Sequence, residues 1–457
     1  MLKFVDRKAE QSRLQKALNR EIAVFAVVYG RRRCGKSRLL KQVLHNNDIY
    51  FMADQSEAVQ QRALLAGVIG NSIDGFGNVI YPDWSSFFEN LNARLTTKIT
   101  LCIDEFPYLV KNSPEIPALL QKLMENKDAL KFNLVICGSS QQLMHGLVFD
   151  SAAPLFGRAD EIMKINPMQV AYIQEVLNCS ANEAIEEYSV WGGIPRYWEL
   201  RLTEKTLFEA LEYHLLTSQG ILYDEPMRLF LDDMRDTVHS FTILSLVAAG
   251  CNRLSEIAAR LEKPATHLSA PLEKLLMLGY IRREIPFGEN PKNSKKSLYK
   301  IADPFLHFYF KYVVPNRSLI ETAQSQVVSS KIASRFNEYV AEMWENLCRS
   351  AVPYLKINGI QFNTASRWWG NPKKGVEIEI DVLALSADEK YLLVGECKWN
   401  EKQYDNHKLT KELEEKAALL PFAEKKTIIP ALFMKNSIKT NTENVYLAED
   451  ILFSFKQ

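Results

Sequence analysis

Glu21–Leu44 reads EIAVFAVVYGRRRCGKSRLLKQVL, and this stretch decides the fold. Ile22 to Tyr29 is an apolar, β-rich run, long enough for one buried parallel strand. Gly30-Arg31-Arg32-Arg33-Cys34-Gly35-Lys36-Ser37 then fits GxxxxGK[ST] at every fixed position. Leu39, Leu40, Val43 and Leu44 follow at helical spacing. Strand, glycine-bounded loop and helix in that order make a cradle for phosphate. Gly30 and Gly35 let the backbone curl so that its N–H groups face the anion. The helix adds the partial positive charge of its N-terminus. Lys36 is expected to reach the β- and γ-phosphates, and Ser37 to offer its hydroxyl to Mg²⁺. Arg31, Arg32, Arg33, Cys34 and Arg38 complete the expected nucleotide-binding stretch. A chance glycine turn beside a basic run is the bland alternative, and the flanking strand and helix argue against it.

Farther along, Ile99–Val110 reads ITLCIDEFPYLV. Asp104 and Glu105 stand where a buried strand ends, and such a strand rarely tolerates a charge without a partner. Opposite a metal nucleotide both have work. Asp104 would hold Mg²⁺ through a water, and Glu105 would polarise the attacking water. A third strand, Phe132–Cys137, ends in Ser139 and Ser140. NTPases with an additional strand between the two motif-bearing ones place a γ-phosphate sensor there. Ser139 or Ser140 fits that role, and Ser140 fits equally as the N-cap of the helix after it. Arg158, in SAAPLFGRADEI, is placed to stabilise transferring phosphate charge, in cis or in trans, or to make a salt bridge.

These segments together, with FVDRKAEQSRL at the start and WGGIPRYW at 191–198, resemble the archaeal-type ATPases of the STAND/AAA-like P-loop group. The resemblance implies ATP and Mg²⁺ as cofactors. It implies that Phe4–Arg7 lies near the nucleotide base, with Asp6 and Arg7 as binding residues. Cys34 stands where that family usually has a small aliphatic residue, so a thiol against the phosphates would make the ATPase sensitive to oxidation. The helices expected over 166–235 correspond to that family's nucleotide lid. Gly192-Gly193 and Pro195 break them; the resemblance implies a turn that carries a residue toward the phosphates, while spacing alone gives only a helix–helix corner.

Bulk composition sets outer limits. The 457 residues suggest two to four domains. Lys+Arg is 56 against 55 Asp+Glu, so net charge does not point to a polyanion, and any nucleic-acid contact needs a local patch. The sequence has no run of membrane-spanning length and no signal-peptide core at its start. Seven scattered cysteines without a CxxC pair read as reduced cytoplasmic thiols.

Residues 237–300 read as helices across a short turn followed by a strand entry, the pattern of a winged helix-turn-helix. Six Lys/Arg and two Glu lie from Arg282 to Lys300, which reads as a basic hairpin. DNA contact would run through Thr266, His267, Ser269 and the Lys292, Lys295 and Lys296 wing. The presumed recognition helix is apolar after Pro271, however, which favours an internal packing module.

The C-terminal segment starts with a helix carrying Phe336, Val340, Met343, Trp344 and Leu347 at helical spacing. The strands VEIEIDVLAL (376–385) and YLLVGECKWN (391–400) follow. Helical Glu, strand Asp381, then Glu396-x-Lys398 resemble the PD-(D/E)XK nuclease superfamily. The whole segment also looks like the domain commonly fused behind archaeal-type ATPases. The resemblance implies that Asp381 and Glu396 bind metal and that Lys398 orients or deprotonates water. Glu345, with Glu338 as its rival, completes the metal site. A charged sheet edge is the alternative.

The expected architecture is therefore α/β: a P-loop NTPase core (1–165), a helical lid (166–235), a winged helix-turn-helix with linker helices (236–330) and a nuclease-like domain (331–457). Expected function is a Mg²⁺-dependent ATPase coupled to a domain that cuts or binds nucleic acid, DNA ahead of RNA. A STAND-type switch with an inactive C-terminal binding domain is the alternative. The sequence points away from the membrane and leaves a homo-oligomer open.

Overall fold

The computed structural model describes residues 4–234, 236–290, 292, 294, 296–373, 376–437 and 444–456. Lys295 of the basic hairpin lies outside the described residues. The chain forms two compact units. The first holds the chain up to Met168 together with 194–196 and 229–234. The second holds 169–193, 197–228 and the chain from 236 onward.

The first unit is built on five strands: β1 (Phe25–Tyr29), β2 (Ile49–Met52), β3 (Ile99–Asp104), β4 (Phe132–Gly138) and β5 (Glu161–Lys164). They pair in the order β2-β3-β4-β1-β5, and every pairing is parallel. So β4 lies between β1 and β3, as the additional-strand reading expects. Every residue of β3 and β4 is buried, the pattern of a parallel sheet covered on both faces. β1 begins at Phe25, opposite Leu134, not at Ile22, which is 55% exposed. The apolar run overshoots at its start: Val24 still accepts the Leu134 N–H at 2.9 Å, but regular pairing begins at Phe25, and periodicity does not reveal where pairing starts. The helix Trp84–Arg94, capped by Asp83 through the Ser86 N–H, packs Trp84, Phe87, Phe88 and Leu91 into the core. Each such fully buried ring contributes about 2–3 kcal/mol.

The second unit opens with helices. Ala181–Trp191 starts with a reciprocal cap between Ser180 and Glu183. Glu187 on this helix forms a buried ion pair with Arg201 at 2.6 Å. Three helical segments, Thr237–Ala248, Leu254–Arg260 and Ser269–Met277, lead into an antiparallel hairpin of β6 (Ile281–Glu284) and β7 (Leu298–Ile301). Helices followed by a two-stranded hairpin are the element order that the winged-helix reading expects. The hairpin is packed within its unit: the Phe287 N–H donates to the Arg367 carbonyl at 2.9 Å, and the Phe287 and Phe422 rings lie 5.1 Å apart. Thr266, His267, Ser269, Lys292 and Lys296 are exposed, with Lys296 paired to Glu289 at 2.9 Å.

The long helix Phe336–Ala351 and a short hairpin, β8 (Lys356–Ile357) and β9 (Ile360–Gln361), precede the second large sheet. That sheet has β10 (Ser366–Lys373), β11 (Val376–Leu385), β12 (Tyr391–Lys398), β13 (Thr427–Met434) and β14 (Val445–Tyr446) in sequence order. The first two pairings are antiparallel and the last two parallel. The helix Asn406–Ala417 packs Leu413 and Ala417 against Ile380, Val394 and Leu432. The chain is thus α/β, with a parallel phosphate-loop sheet and a second, mixed sheet. Among the described residues no helix is long and apolar enough to cross a membrane.

Candidate functional site

The phosphate loop joins β1 to the helix Lys36–Val43. Gly30 has φ +150°, and a Cβ there would sit 2.3 Å from the Ile165 carbonyl oxygen. Glycine is therefore demanded by the chain leaving β5, besides any approach of phosphate. Gly35 caps the helix at φ +90°, a left-handed position that other residues adopt only with strain. Lys36 is buried, and its Nζ donates to the Gly30 and Arg31 carbonyls at 2.9 and 3.0 Å. Its ammonium thus closes the loop on itself. Arg31 is buried, Arg32 exposed, and Arg33 and Arg38 half-buried. Cys34 is fully buried. That burial seals the thiol from solvent oxidants and corrects the expectation of an oxidation-sensitive loop.

The FVDR stretch comes to this loop from behind. Arg38 stacks on the Phe4 ring at 5.6 Å. The buried Arg7 guanidinium donates to the Cys34 carbonyl at 3.4 Å and the Asn166 carbonyl at 2.5 Å, and pairs with Glu10 at 3.1 Å. Asp6, at φ +57°, lies 3.9 Å from Arg7.

Asp104 closes β3 with 1% of its surface exposed. Its Oδ2 accepts from Ser37 Oγ at 2.5 Å and from the Tyr50 hydroxyl at 2.6 Å. Burial pushes its proton affinity up, but Ser37, Tyr50, Cys137 and the Glu105 N–H outweigh burial and hold the carboxyl below its ordinary range. Burial and the same carboxylate push the Tyr50 hydroxyl far up, so it stays a donor.

Glu105 sits at φ 52° and ψ 40°, a left-handed conformation for a residue with a side chain. Such a position costs roughly 1–3 kcal/mol and persists only when the surroundings enforce it. Here it starts the helix Phe106–Asn112, with Pro107 in its first turn. Its Oε2 accepts from Ser139 Oγ at 2.9 Å and from the Ser139 N–H at 3.3 Å. Ser140 caps the next helix through the Leu143 N–H. The two serines therefore have separate partners. Glu105 and Ser139 line a cavity of about 710 Å³ with Tyr108 and Leu143. Arg158 pairs with Glu125 at 3.3 Å and donates to the Pro154 carbonyl, its salt-bridge alternative.

Tyr50 escaped the sequence reading. Pro195, the last residue of the Gly-Gly-Ile-Pro stretch, lies 3.8 Å from where a Gly35 Cβ would stand.

In the second sheet, Val382 lies opposite Gly395, which sets Asp381 alongside Glu396. Asp381 Oδ2 accepts from the Cys397 N–H at 2.8 Å. Glu396 is held by Lys398 at 2.5 Å and Lys416 at 3.4 Å. Burial and then Glu396 raise the proton affinity of Asp381. Burial and then Asp381 push Glu345 up to about 7. Lys398 stays above its ordinary range, because Glu396 and Asp381 outweigh its burial. Glu338 is exposed and paired with Arg335, so Glu345 is the helical carboxylate that meets Asp381. Like-charge repulsion thus acts on Asp381 from Glu396 and on Glu345 from Asp381. Yet among the described residues no three His, Cys, Asp or Glu side chains are grouped to hold a metal ion as they stand.

Residues 4–200 match a family described as an ATPase domain predominantly from Archaea. Residues 309–411 match one described as archaeal and bacterial proteins of unknown function, and these include Glu345, Asp381, Glu396 and Lys398. The uncharacterized protein MJECL04 of Methanocaldococcus jannaschii is 30% identical over 424 residues, covering 91% of this chain and 92% of that one. Among solved structures, the ORC2 protein of Aeropyrum pernix in ADPNP–ADP complexes aligns with 72% of this chain and 96% of its own, at 13% identity and a TM-score of 0.47. The ORC1 protein of Aeropyrum pernix in complex with DNA aligns with 70% and 95%, at 16% identity and a TM-score of 0.33. The chain belongs to the family of the Methanocaldococcus protein, and in this chain the archaeal-type ATPase domain precedes the domain of unknown function.

Proposed function

We propose that the chain is a Mg²⁺-dependent ATPase whose nucleotide state governs a nuclease-like C-terminal domain acting on nucleic acid, DNA ahead of RNA. The ATPase half rests on one observation above all: Ser37 and Asp104, from two motifs far apart in sequence, meet at 2.5 Å beneath the phosphate loop. A hydroxyl and a buried, ionised carboxylate are the hard oxygen donors that suit Mg²⁺. Ser37 and Asp104 would hold the ion, which when bound neutralises phosphate charge. Lys36 and the loop N–H groups bind the phosphates. Glu105 orients the attacking water and accepts its proton, with Ser139 positioning the carboxylate. Asp6 and Arg7 support the base side of the site. The pairing of Arg158 with Glu125 supports a structural part for that arginine.

The division into ATPase core (1–165), helical lid (166–235), winged helix with linkers (236–330) and nuclease-like domain (331–457) belongs to this reading. In the last, Glu345, Asp381 and Glu396 would hold metal, whose charge polarises a phosphodiester. Lys398, kept protonated, stabilises developing negative charge and does not serve as the base. The engagement of Glu396 by Lys398 and Lys416 favours a second reading, a regulatory switch whose C-terminal domain binds without cutting. All seven cysteines are thiols, which suits a reducing cytoplasm.

Phosphate release from ATP with Mg²⁺ tests the ATPase. Wild-type chain releases phosphate, and Lys36→Ala lowers the rate at least about 100-fold with its fold retained by circular dichroism. Equal rates would remove the assignment.

A further inference from the structure

Strand β6 reads Ile-Arg-Arg-Glu, and alternation along it sends Arg282 and Glu284 to one side. That side meets the helix Phe336–Ala351 and the start of β10 around a cavity of about 450 Å³. Arg282, Arg283, Arg349 and Arg367 line it, with Glu284 and Glu289 as its acidic residues. Four arginines against two glutamates leave the wall with a net charge of +2.

Glu284 organises this wall. Its Oε1 accepts from Arg282 Nη2 at 2.9 Å and Nε at 3.1 Å, and its Oε2 lies 3.6 Å from Arg367 Nη1. Burial raises its proton affinity, but Arg282, Arg349 and Arg367 together hold it ionised. One carboxylate therefore fixes guanidiniums from different elements without cancelling their charge. Arg367 is further held by Glu379 and stacked on Trp369 at 5.0 Å. Its Nε is nonetheless buried without a hydrogen-bond acceptor among the described residues. A buried charged donor left in that condition is costly, and an anion relieves it.

The cavity adjoins the carboxylate cluster through one side chain. Arg349 Nη1 lies 2.9 Å from the Asp381 carbonyl oxygen and 3.5 Å from Glu345 Oε2. Rigid, forked guanidiniums match phosphate oxygens. We propose that this cavity seats a backbone phosphate of a nucleic-acid strand, so that the hairpin of the winged helix clamps the strand beside Glu345, Asp381, Glu396 and Lys398. The contact then runs through the base of the hairpin and not through the exposed Thr266–Ser269 segment ahead of the helix Ser269–Met277. The inference rests on the reading of those four residues as a phosphodiester-handling site, and its test separates the two.

Full-length chain in EDTA is titrated with fluorescein-labelled 20-nucleotide single-stranded and duplex DNA, followed by anisotropy over a range of salt. Inorganic pyrophosphate serves as competitor. Arg283, being exposed, is replaced without disturbing the core. Arg283→Ala and Arg367→Gln each weaken binding about fivefold and lower the log–log salt slope by about 0.7 for single strands. Lys331→Ala, an exposed charge on the helix Ser325–Ser334, leaves both unchanged. Wild-type affinity in both arginine variants overturns the clamp, even if metal-dependent cleavage is observed. Pyrophosphate binding without oligonucleotide binding also overturns it, since the cavity would then take small phosphates only. Arginine-dependent binding without any cleavage upholds the clamp and removes the nuclease.

Discussion

Asp104 and Asp381 both stand on strands beside a second carboxylate, and their protons behave in opposite ways. Neutral donors surround Asp104: the Ser37 and Tyr50 hydroxyls and the Glu105 N–H hold it ionised. Asp381 is buried and faces Glu396, which raises its proton affinity, and Asp381 in turn raises that of the buried Glu345. The first site is pre-organised as an anion, and Glu105 beside it is turned aside onto Ser139. The second stores repulsion that a cation, a proton or a lysine must relieve. The contrast teaches that strand carboxylates of similar appearance in sequence differ by their partners, and partners come from topology.

The largest effect bears on the second site. Asp381→Asn and Lys398→Ala are each expected to abolish Mn²⁺- or Mg²⁺-dependent DNA cleavage, a loss of at least about 100-fold read on gels. Cleavage that survives either change would break the contrast, because the repelling cluster would not be the cutting one. Tyr50→Phe comes next and probes the first site. It removes one donor from Asp104, whose proton affinity rises toward the ordinary value. Phosphate release is expected to fall about tenfold, with roughly 1–2 kcal/mol of stability lost in denaturant unfolding. An unchanged rate would mean that Ser37 alone sets the carboxylate.

Glu345→Gln has the smallest effect and sharpens the contrast through pH. Arg349 and Arg367 oppose, without cancelling, the burial and the Asp381 and Glu379 charges that raise Glu345 to about 7. Between pH of about 4.5 and 7 the unfolded chain has lost a proton that the folded chain keeps. The folded state is therefore progressively penalised as pH rises through that window, and fully so above it. In metal-free buffer Glu345→Gln is expected to raise the melting temperature of the transition it affects by a few degrees at pH 8, on the order of 1–3 kcal/mol, and to change nothing near pH 4. An equal shift at both pH values would show that burial of the amide, and not relief of charge, is responsible.

Much of the first site was legible because its motifs are local. The glycine-bounded loop, the Asp104–Glu105 pair and the serines after β4 each lie within a few residues of a strand end, where periodicity speaks. Tyr50 was not legible. It sits in an ordinary strand, and it reaches Asp104 only because β2 pairs with β3, Met52 opposite Asp104. The choice between Glu338 and Glu345 was closed to the sequence for a different reason. Two helical turns separate them, so spacing puts both on one stripe, and only the helix's seat against β11 selects Glu345. The arginine wall was hidden more deeply. Arg282, Arg349 and Arg367 come from a hairpin, a helix and a sheet, and no short motif joins them.

The central claim is that a magnesium nucleotide lies between the Gly30–Ser37 loop and the Asp104–Glu105 pair, with Glu105 acting on water and not on binding. Calorimetric titration of ATP with Mg²⁺ into Glu105→Gln, paired with phosphate release on the same protein, tests it most directly. The account predicts affinity within about twofold of wild type and phosphate release reduced at least about 100-fold. Undiminished phosphate release, or no magnesium-dependent ATP uptake by folded wild-type chain, would contradict it.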